Sequence, residues 1–449
     1  MRHHLLMIRK VMPGSIAILF TLAVYTASAQ EKMSFAIADS LTYHFYKTGN
    51  WDSLVHTGKV AILQGHDYYY LQMRIGIAYF MLSHYRIAAM HFEEALKFYS
   101  NDKVALQYLQ QCYDWAGLET EFAALGHRFA VRKKEGIKPD LIKGFSVFGG
   151  AVISGSSTQL ENSDLDGEAS IYGEINANGD MYYGNAGLIV APVQHFRWYL
   201  GYTHLQLEKH QQIMMEGAEP FNNRYRLIQH QLHTNLPLRI AKGWQVIPAL
   251  SILNFRDQPA NVAYDTMNYE YVIRYIDTTI TNYIVSLKLL KSMPYIDLGA
   301  IAGNSNLNNE NQWQGTFILN LFPFANLDVY SYSRISILKA SEEYRWHFRQ
   351  TLGAKVFSKL WLQGNYQWGE LKNAYDESGL LAFNTSANIA SRLGVTVYVL
   401  LSEKLTFQLE YSFTNQQDKY IEFTDYDTFI TQTIHYNNHN FMGGLKWKL

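Results

Sequence analysis

From about residue 140 to its end, the chain is a series of segments in which apolar and polar side chains alternate strictly. The clearest are Lys404–Thr414, Gln312–Phe322, Tyr344–Val356 and Leu360–Trp368. A period of two predicts strands with one apolar and one polar face. Segments of about ten residues or more exceed the usual five or six of globular strands. The pattern therefore predicts a transmembrane antiparallel β-barrel over residues 139–449.

The same strands distinguish a barrel in lipid from a soluble β-sandwich. The apolar face of Tyr344–Val356 begins with Tyr344 and Trp346, as interfacial aromatic girdles do. Its polar face carries Arg345 and Arg349, which would be costly in a sandwich core but are ordinary in a wet lumen. Charged residues are only 17% of the chain and aromatic residues reach 15%, as a large lipid-facing surface would require.

Turns and loops give the expected topology. Short turns alternate with long loops, as periplasmic turns and extracellular loops should. The short turns lie near Lys242-Gly243, Met293-Pro294, Pro323-Phe324, Ser358-Lys359 and Ser402-Glu403, and the long loops near 209–223, 256–270, 371–387 and 416–433. Counting back from the C-terminus gives 14 strands from Glu168, with 12 or 16 left open. Phe145–Ile153 would be a fifteenth, so either it lies outside the wall or another assignment is wrong, because such barrels have even counts.

Strand parity assigns a set of charged and aromatic side chains to the lumen. The candidates are Asp328, Tyr330, Tyr332, Arg334, Arg345, His347, Arg349, Lys355, Arg392 and Glu410. Arginines hold anions and tyrosines stack on sugars, so one interpretation is a path or site for anionic or sugar-like cargo. The alternative is a salt-bridged polar filling with no transport role.

Catalytic and metal-binding patterns are absent from the sequence. It contains no Gly-x-Ser-x-Gly, His-Glu-x-x-His or phosphate-binding glycine loop. His204, His230, His233 and His347 do not have metal-ligand spacing. By parity His233 and His347 face the lumen, whereas His230 faces outward without an identifiable Ser partner. We therefore expect no enzyme, no metal and no cofactor.

The N-terminus predicts export. Arg2, Arg9 and Lys10 precede the apolar stretch Ile16–Tyr25, and Ala27-Ser28-Ala29 offers a cleavage site, so residues 1–29 read as a signal peptide. The rest of the chain is mildly acidic, which gives no footprint for nucleic acid. It also lacks any apolar stretch of about 18 residues, which argues against an α-helical membrane protein. The single cysteine, Cys112, cannot form an internal disulfide and is expected to be buried in a helix.

Residues 30–138 carry a helical repeat. Gly76, Tyr79, Ala88, Phe92 and Ala95 occupy positions of a 34-residue window, 69–102, where paired helices need small residues or groove-filling large ones. Weaker copies occupy 35–68 and 103–136. The segment resembles the tetratricopeptide repeat family, and a generic helical bundle is the alternative. The resemblance implies a protein-binding scaffold, whose concave face Tyr68, Tyr69 and Tyr70 would line unless they pack between repeats.

The domain order adds a second resemblance. Periplasmic tetratricopeptide repeats followed by a C-terminal barrel resemble outer-membrane exporters of exopolysaccharides such as cellulose and poly-N-acetylglucosamine, and the smaller YaiO-type barrel proteins. Phe441, Gly443, Leu445, Trp447 and Leu449 share a face and resemble the barrel assembly signal. These resemblances imply an outer-membrane location, lipid contact, a periplasmic protein partner and polysaccharide cargo that is exported or anchored. The alternatives are a passive anchor or narrow porin with a scaffold role for the repeats and, least favoured, a barrel enzyme acting on lipid.

Overall fold

The computed structural model describes residues 33–132, 141–156, 171–193, 196–216, 219–265, 267, 270–385, 387–423, 425 and 428–448. The predicted signal peptide, residues 1–29, lies outside the described residues. The chain divides into two compact units. One comprises Met1–Leu82 with Met90–Leu106, and the other comprises Ser83–Ala89 with Gln107–Leu449.

Among the described residues, six helices precede the barrel. They are α1 (Phe35–Thr48), α2 (Trp51–Leu63), α3 (Tyr69–Met81), α4 (Tyr85–Phe98), α5 (Lys103–Trp115) and α6 (Glu119–Arg132). The starts of α1, α3 and α5 recur every 34 residues, and so do the starts of α2, α4 and α6. Each predicted window therefore contains one pair of helices. Among the described residues, no helix has the length and apolar character that crossing a membrane requires.

Local sequence sets the ends of these helices. Ser34 caps α1, its hydroxyl accepting from the backbone N–H of Ile37, and Gly49 ends α1 in a left-handed conformation at φ 68°. Asn50 then caps α2 through the N–H of Ser53. Because Gly49 ends one helix and Asn50 caps the next, the chain reverses direction within these two residues. The result is a tight hairpin of helices.

The unit that contains α1 to α3 has an apolar core. Leu54, Leu71, Ile75 and Phe92 are buried there. A Cβ on Gly76 would lie 2.8 Å from the Phe92 ring, so the absence of a side chain at Gly76 lets that ring approach the helix backbone. In the other unit, Cys112 is buried in α5 as predicted.

Fourteen antiparallel strands form the barrel wall, which confirms the predicted number. They are β1 (Ile142–Ser154), β2 (Tyr172–Val190), β3 (Trp198–Met215), β4 (Phe221–Asn235), β5 (Trp244–Asp257), β6 (Thr278–Ser292), β7 (Ile296–Ser305), β8 (Gln312–Leu321), β9 (Val329–Ala340), β10 (Glu343–Phe357), β11 (Leu360–Gly369), β12 (Asn388–Leu400), β13 (Leu405–Phe423) and β14 (Phe429–Lys448). Each strand pairs with the next in sequence, and β14 pairs with β1 from Gly144–Lys448 to Ser154–Asn438. The sheet is therefore closed.

The first strand corrects the prediction. The segment Phe145–Ile153 is part of β1, which lies in the wall between β14 and β2. The excess strand in the sequence count therefore came from an assignment elsewhere. A short strand, Leu238–Ala241, follows β4 after Leu236-Pro237 and pairs with β5. Proline interrupts strand pairing because it lacks an N–H group.

Three predicted loops are largely strand. Most of 209–223 belongs to β3 and β4, which continue to Met215 and from Phe221. Most of 416–433 belongs to β13 and β14, and the end of β13 pairs with β2 beyond the end of β1. The region 256–270 contains the first strand of a hairpin, Ala260–Asp265 with Glu270–Tyr275. In these segments apolar and polar residues do not alternate strictly; Ile213 and Met214, for example, are adjacent and both buried. Such segments resemble loops in sequence, which explains these errors.

The two faces of the wall differ in polarity. Large apolar side chains are exposed on the outer face of strand after strand; examples are Leu287, Phe317, Leu352, Leu393 and Leu409. Polar side chains are buried on the inner face; examples are Gln231, Ser251, Asn282, Thr316 and Thr351. An apolar outer surface of this extent is stable in lipid and not in water. The barrel is therefore of the membrane-spanning type.

Candidate functional site

A segment between β11 and β12 folds into the barrel lumen. We call residues 371–385 the plug segment. It contains a small hairpin, Ala374–Asp376 with Leu381–Phe383, joined through Glu377–Gly379. Glu377, Ser378 and Gly379 all have positive φ values, of 48°, 58° and 98°. The sequence interpretation placed 371–387 among the long extracellular loops; the structure adds that this connection between β11 and β12 turns inward and contacts the inner face of the wall.

The tip of the plug segment is bound to one side of the wall through its backbone. The Ser251 hydroxyl on β5 donates to the carbonyl of Gly379 at 2.7 Å, and the Gln231 amide on β4 donates to the same oxygen at 2.9 Å. The Ser286 hydroxyl on β6 donates to the carbonyl of Ser378 at 3.0 Å. The left-handed turn directs these successive carbonyls at the wall, where polar side chains satisfy them.

Side chains on another strand hold the base of the hairpin. The Gln314 amide on β8 donates to the carbonyl of Tyr375 at 2.7 Å, and the N–H of Tyr375 donates to the Gln314 carbonyl oxygen at 3.1 Å. The Tyr375 ring is buried with Leu253, Ile284 and Leu307. Gln314 thus pairs with the hairpin much as a neighbouring strand would.

The acidic residues of the plug segment bind two arginines of the wall. Arg334 on β9 and Arg349 on β10 are directly opposite each other in the sheet. Arg334 is 2.7 Å from Glu377 and 3.3 Å from Asp376, and Arg349 is 2.8 Å from Asp376. Contacts thus run from β4 to β10, which are far apart around the ring. The plug segment therefore lies inside the lumen, against a broad arc of the wall.

Arg345 anchors the start of the plug segment. Its guanidinium donates to the carbonyl of Lys372 at 2.9 Å and lies 3.4 Å from Glu310. It also donates to the side-chain oxygen of Gln312 at 3.2 Å. His347, two residues along β10, is buried beside this network. Both side chains lie on the inner face, the side that parity assigned to them.

The remaining lumen candidates form smaller groups. Arg392 on β12 is 2.9 Å from Glu410 on β13. Tyr330 and Tyr332 stack with ring centroids 4.7 Å apart. Asp328 and Lys355, 3.6 Å apart, lie at the turn end of β9 and β10 and are partly exposed. The structure therefore brings together Arg334 and Arg349, but it places Arg392 with Glu410 and Asp328 with Lys355 in separate pairs.

A second buried ion pair lies at the turn end of the barrel. Arg86, from the part of α4 that belongs to the barrel's unit, contacts Asp297 of β7 at 2.8 Å, and the two side chains are 4% and 7% exposed. The guanidinium also donates to the carbonyl of Met293 at 2.9 Å and covers the Phe322 ring at 3.7 Å from its centroid. In α6, Glu121 binds Arg239 at 2.6 Å. These contacts fix helical residues against the short turns.

The three tyrosines of the predicted repeat-binding face differ in environment. Tyr68 donates to Asp39 at 2.8 Å, and burial together with that hydrogen bond raises the pKa of Tyr68 to about 12. Tyr69 packs edge-on against Tyr99, with ring centroids 4.8 Å apart. Only Tyr70 is exposed. Tyr68 and Tyr69 are thus engaged within the helices, and the assignment of the trio as a binding face stays a prediction.

The histidines make hydrogen bonds with neighbouring side chains. His230 contacts the Tyr202 hydroxyl at 2.8 Å on the outer face, and His233 contacts the Ser251 hydroxyl at 2.7 Å inside. Within the described part of the chain, no three His, Cys, Asp or Glu side chains are arranged to hold a metal ion.

The sequence interpretation missed several residues of this site. Asp376 and Glu377 were overlooked because their segment contains turn residues and no alternation. Lys288 was overlooked as a single charged residue within an apolar strand, although parity places it on the inner face. Gln367 was assigned to the polar face of its strand but was not singled out as a site residue. Parity is the signal that would have found them.

Comparison with known proteins finds only remote similarity to solved structures. No family model matches the sequence, and no curated protein matches it. The toluene transporter TodX of P. putida is similar over 70% of this chain and 91% of its own, with 8% identity and a TM-score of 0.46. A FadL homologue of Pseudomonas aeruginosa covers 69% and 90%, with 8% identity and a TM-score of 0.43. The KdgM porin covers 50% and 96%, with 5% identity and a TM-score of 0.28.

Proposed function

We propose that this protein is a bacterial outer-membrane channel whose lumen is closed by the plug segment. The observation that carries the proposal is the contact of Asp376 and Glu377 with Arg334 and Arg349. If the lumen were only a permanent salt-bridged interior without a transport role, acidic residues on the wall itself could neutralise the arginines. Here the acidic residues come instead from a separate segment. A carboxylate pair on a hairpin between strands can leave as one piece. Water can replace its hydrogen bonds, and its departure would also expose the buried ring of Tyr375.

The helical region supports a further part of the proposal. We infer that α1 to α6 form tetratricopeptide-type repeats that lie in the periplasm and bind a protein partner. The recurrence of helix starts every 34 residues and the approach of Phe92 to Gly76 support this. A polysaccharide that is exported or anchored is the cargo that the domain order suggests.

The test is conductance in planar lipid bilayers. We expect the wild-type protein to be closed and D376N/E377Q to conduct, because the neutral side chains no longer compensate the two arginines. The matched control is E342Q/E343Q, which removes an adjacent acidic pair from the exposed turn between β9 and β10. Should D376N/E377Q fold and remain as closed as the control, the protein is better described as a passive anchor.

A further inference from the structure

We infer that the wall behind the plug segment is a binding site for a solute that carries carboxylate groups, and that Asp376 and Glu377 occupy this site as internal substitutes. The inference rests on the proposed channel function and names its substrate class. Among the described residues, the acidic partners of Arg334 and Arg349 all come from the plug segment. The wall thus presents two adjacent guanidinium groups without a carboxylate of its own for either.

The geometry of the contact suits carboxylate recognition. Nη1 and Nη2 of Arg334 donate to Oε1 and Oε2 of Glu377 at 2.7 and 3.4 Å. Such paired donation from one guanidinium matches the two oxygens of a carboxylate. Arg349 holds the second carboxylate, that of Asp376, at 2.8 Å. A solute with spaced carboxylates would make the same contacts once the hairpin leaves.

The wall next to the arginines offers further donors. Gln367 on β11 is the register partner of both Arg349 and Arg392, and it is 2% exposed. Within the described structure, its amide nitrogen Nε2 has no hydrogen-bond partner. A buried donor without an acceptor is costly, and an anionic oxygen is the acceptor that this basic surface would attract.

The charge balance of the wall also favours an anion. The inner face carries four basic side chains here, those of Arg334, Arg349, Arg392 and Lys288. Lys288, on β6, is close enough to Arg334 and Glu377 to interact with their charges. Glu410 is the wall acid that pairs with this group, through Arg392. Asp297 and Asp328, at the turn end of the wall, are paired with Arg86 and Lys355, and Asp418 and Glu422 lie on β13, where they bind Tyr436 and Gln432. Removal of the hairpin therefore leaves this stretch of wall net positive.

The experiment measures selectivity and block of the opened channel. In D376N/E377Q under a salt gradient, we expect a reversal potential of anion-selective sign. We expect glucuronate to reduce the chloride current at least threefold more than the same concentration of glucose. Adding R334Q/R349Q should remove that difference, whereas adding Arg256→Gln, which removes an exposed charge outside the lumen, should preserve it. Correct folding of each variant is checked by heat-modifiable migration on gels.

Equilibrium dialysis with glucuronate in detergent separates the two proposals. A channel that conducts but shows no selectivity and no arginine-dependent block overturns the carboxylate site and leaves the channel function intact. A variant that conducts nothing but binds glucuronate through Arg334 and Arg349 overturns the channel function and supports the site. If glucuronate binds equally with and without the two arginines, the site is overturned.

Discussion

The helical region and the barrel bury opposite kinds of side chain. In the helices the interior is apolar, as Leu54, Ile75 and Phe92 show. In the barrel the interior contains many polar side chains, such as those of Arg345, Gln314 and Asp297, beside small apolar clusters, and the exposed apolar residues lie on the outer face. The helices are therefore held by packing and the barrel interior by hydrogen bonds and ion pairs, besides the backbone pairing of its wall. The same substitution should thus destabilise the two regions to very different extents.

The largest difference is expected for phenylalanine. Phe92→Ala should destabilise the helices by about 3–5 kcal/mol, because it leaves a cavity in a packed core. Phe317→Ala on the outer face of β8, where the side chain is 52% exposed, should cost about 1 kcal/mol or less, since lipid fills the space. Urea titration of each variant in lipid bilayers measures both free energies. Equal losses would break the comparison.

The reverse order is expected for aspartate. Asp297→Asn should destabilise the barrel by about 3 kcal/mol, because it leaves the buried guanidinium of Arg86 without its anion. Asp39→Asn should cost less than about 1 kcal/mol in the helices, because Asp39, the partner of Arg74, is 40% exposed and its charge is screened by water. Thermal unfolding of the two variants in detergent measures the difference. A larger loss for Asp39→Asn would contradict this account of the interiors.

The smallest expected effect on stability comes from protonation of His91, whose positive charge the helical interior disfavours. Burial and the nearby Lys59 lower the pKa of His91 to about 4 from its usual 6.5. The folded helices thus favour neutral His91, so its contribution to stability is full above pH 6.5 and is lost as the pH falls toward 4. Between pH 7.5 and 5 the loss should be about 2 kcal/mol.

Chemical denaturation followed by circular dichroism at both pH values tests this. His91→Gln is the matched variant, because its amide can still donate to Gln72, the partner of His91 at 2.7 Å. An unchanged pH dependence in that variant would assign the effect to another group.

Alternation along the chain predicted more of the barrel than of its site. In Tyr344–Val356 one period-two pattern fixed the strand, its inner face and the adjacency of Arg345, His347 and Arg349. The same logic failed for 209–223 and 416–433, where apolar and polar residues do not alternate strictly. Alternation did indicate a strand over Phe145–Ile153, but nothing in the count distinguished a wall strand from an external one.

The inward path of the plug segment could not be predicted from alternation. Its path depends on the backbone carbonyls of Ser378 and Gly379, and every residue has a backbone carbonyl. The side chains that bind them, those of Ser251, Gln231 and Ser286, have no distinctive pattern in the sequence. Which loop enters the lumen depends on contacts between residues far apart in sequence. In the helices, by contrast, the 34-residue spacing is local, and the predicted windows match the helix pairs.

The seam between β1 and β14 has a consequence for biogenesis. Gly144 and Lys448 are partners although about three hundred residues separate them, so this ladder has the highest contact order in the wall. The sheet keeps two unpaired edges until the final strand has been synthesised and delivered. Nascent or truncated chains would therefore be prone to aggregation, and a chaperone that shields strand edges would be needed until the ends meet.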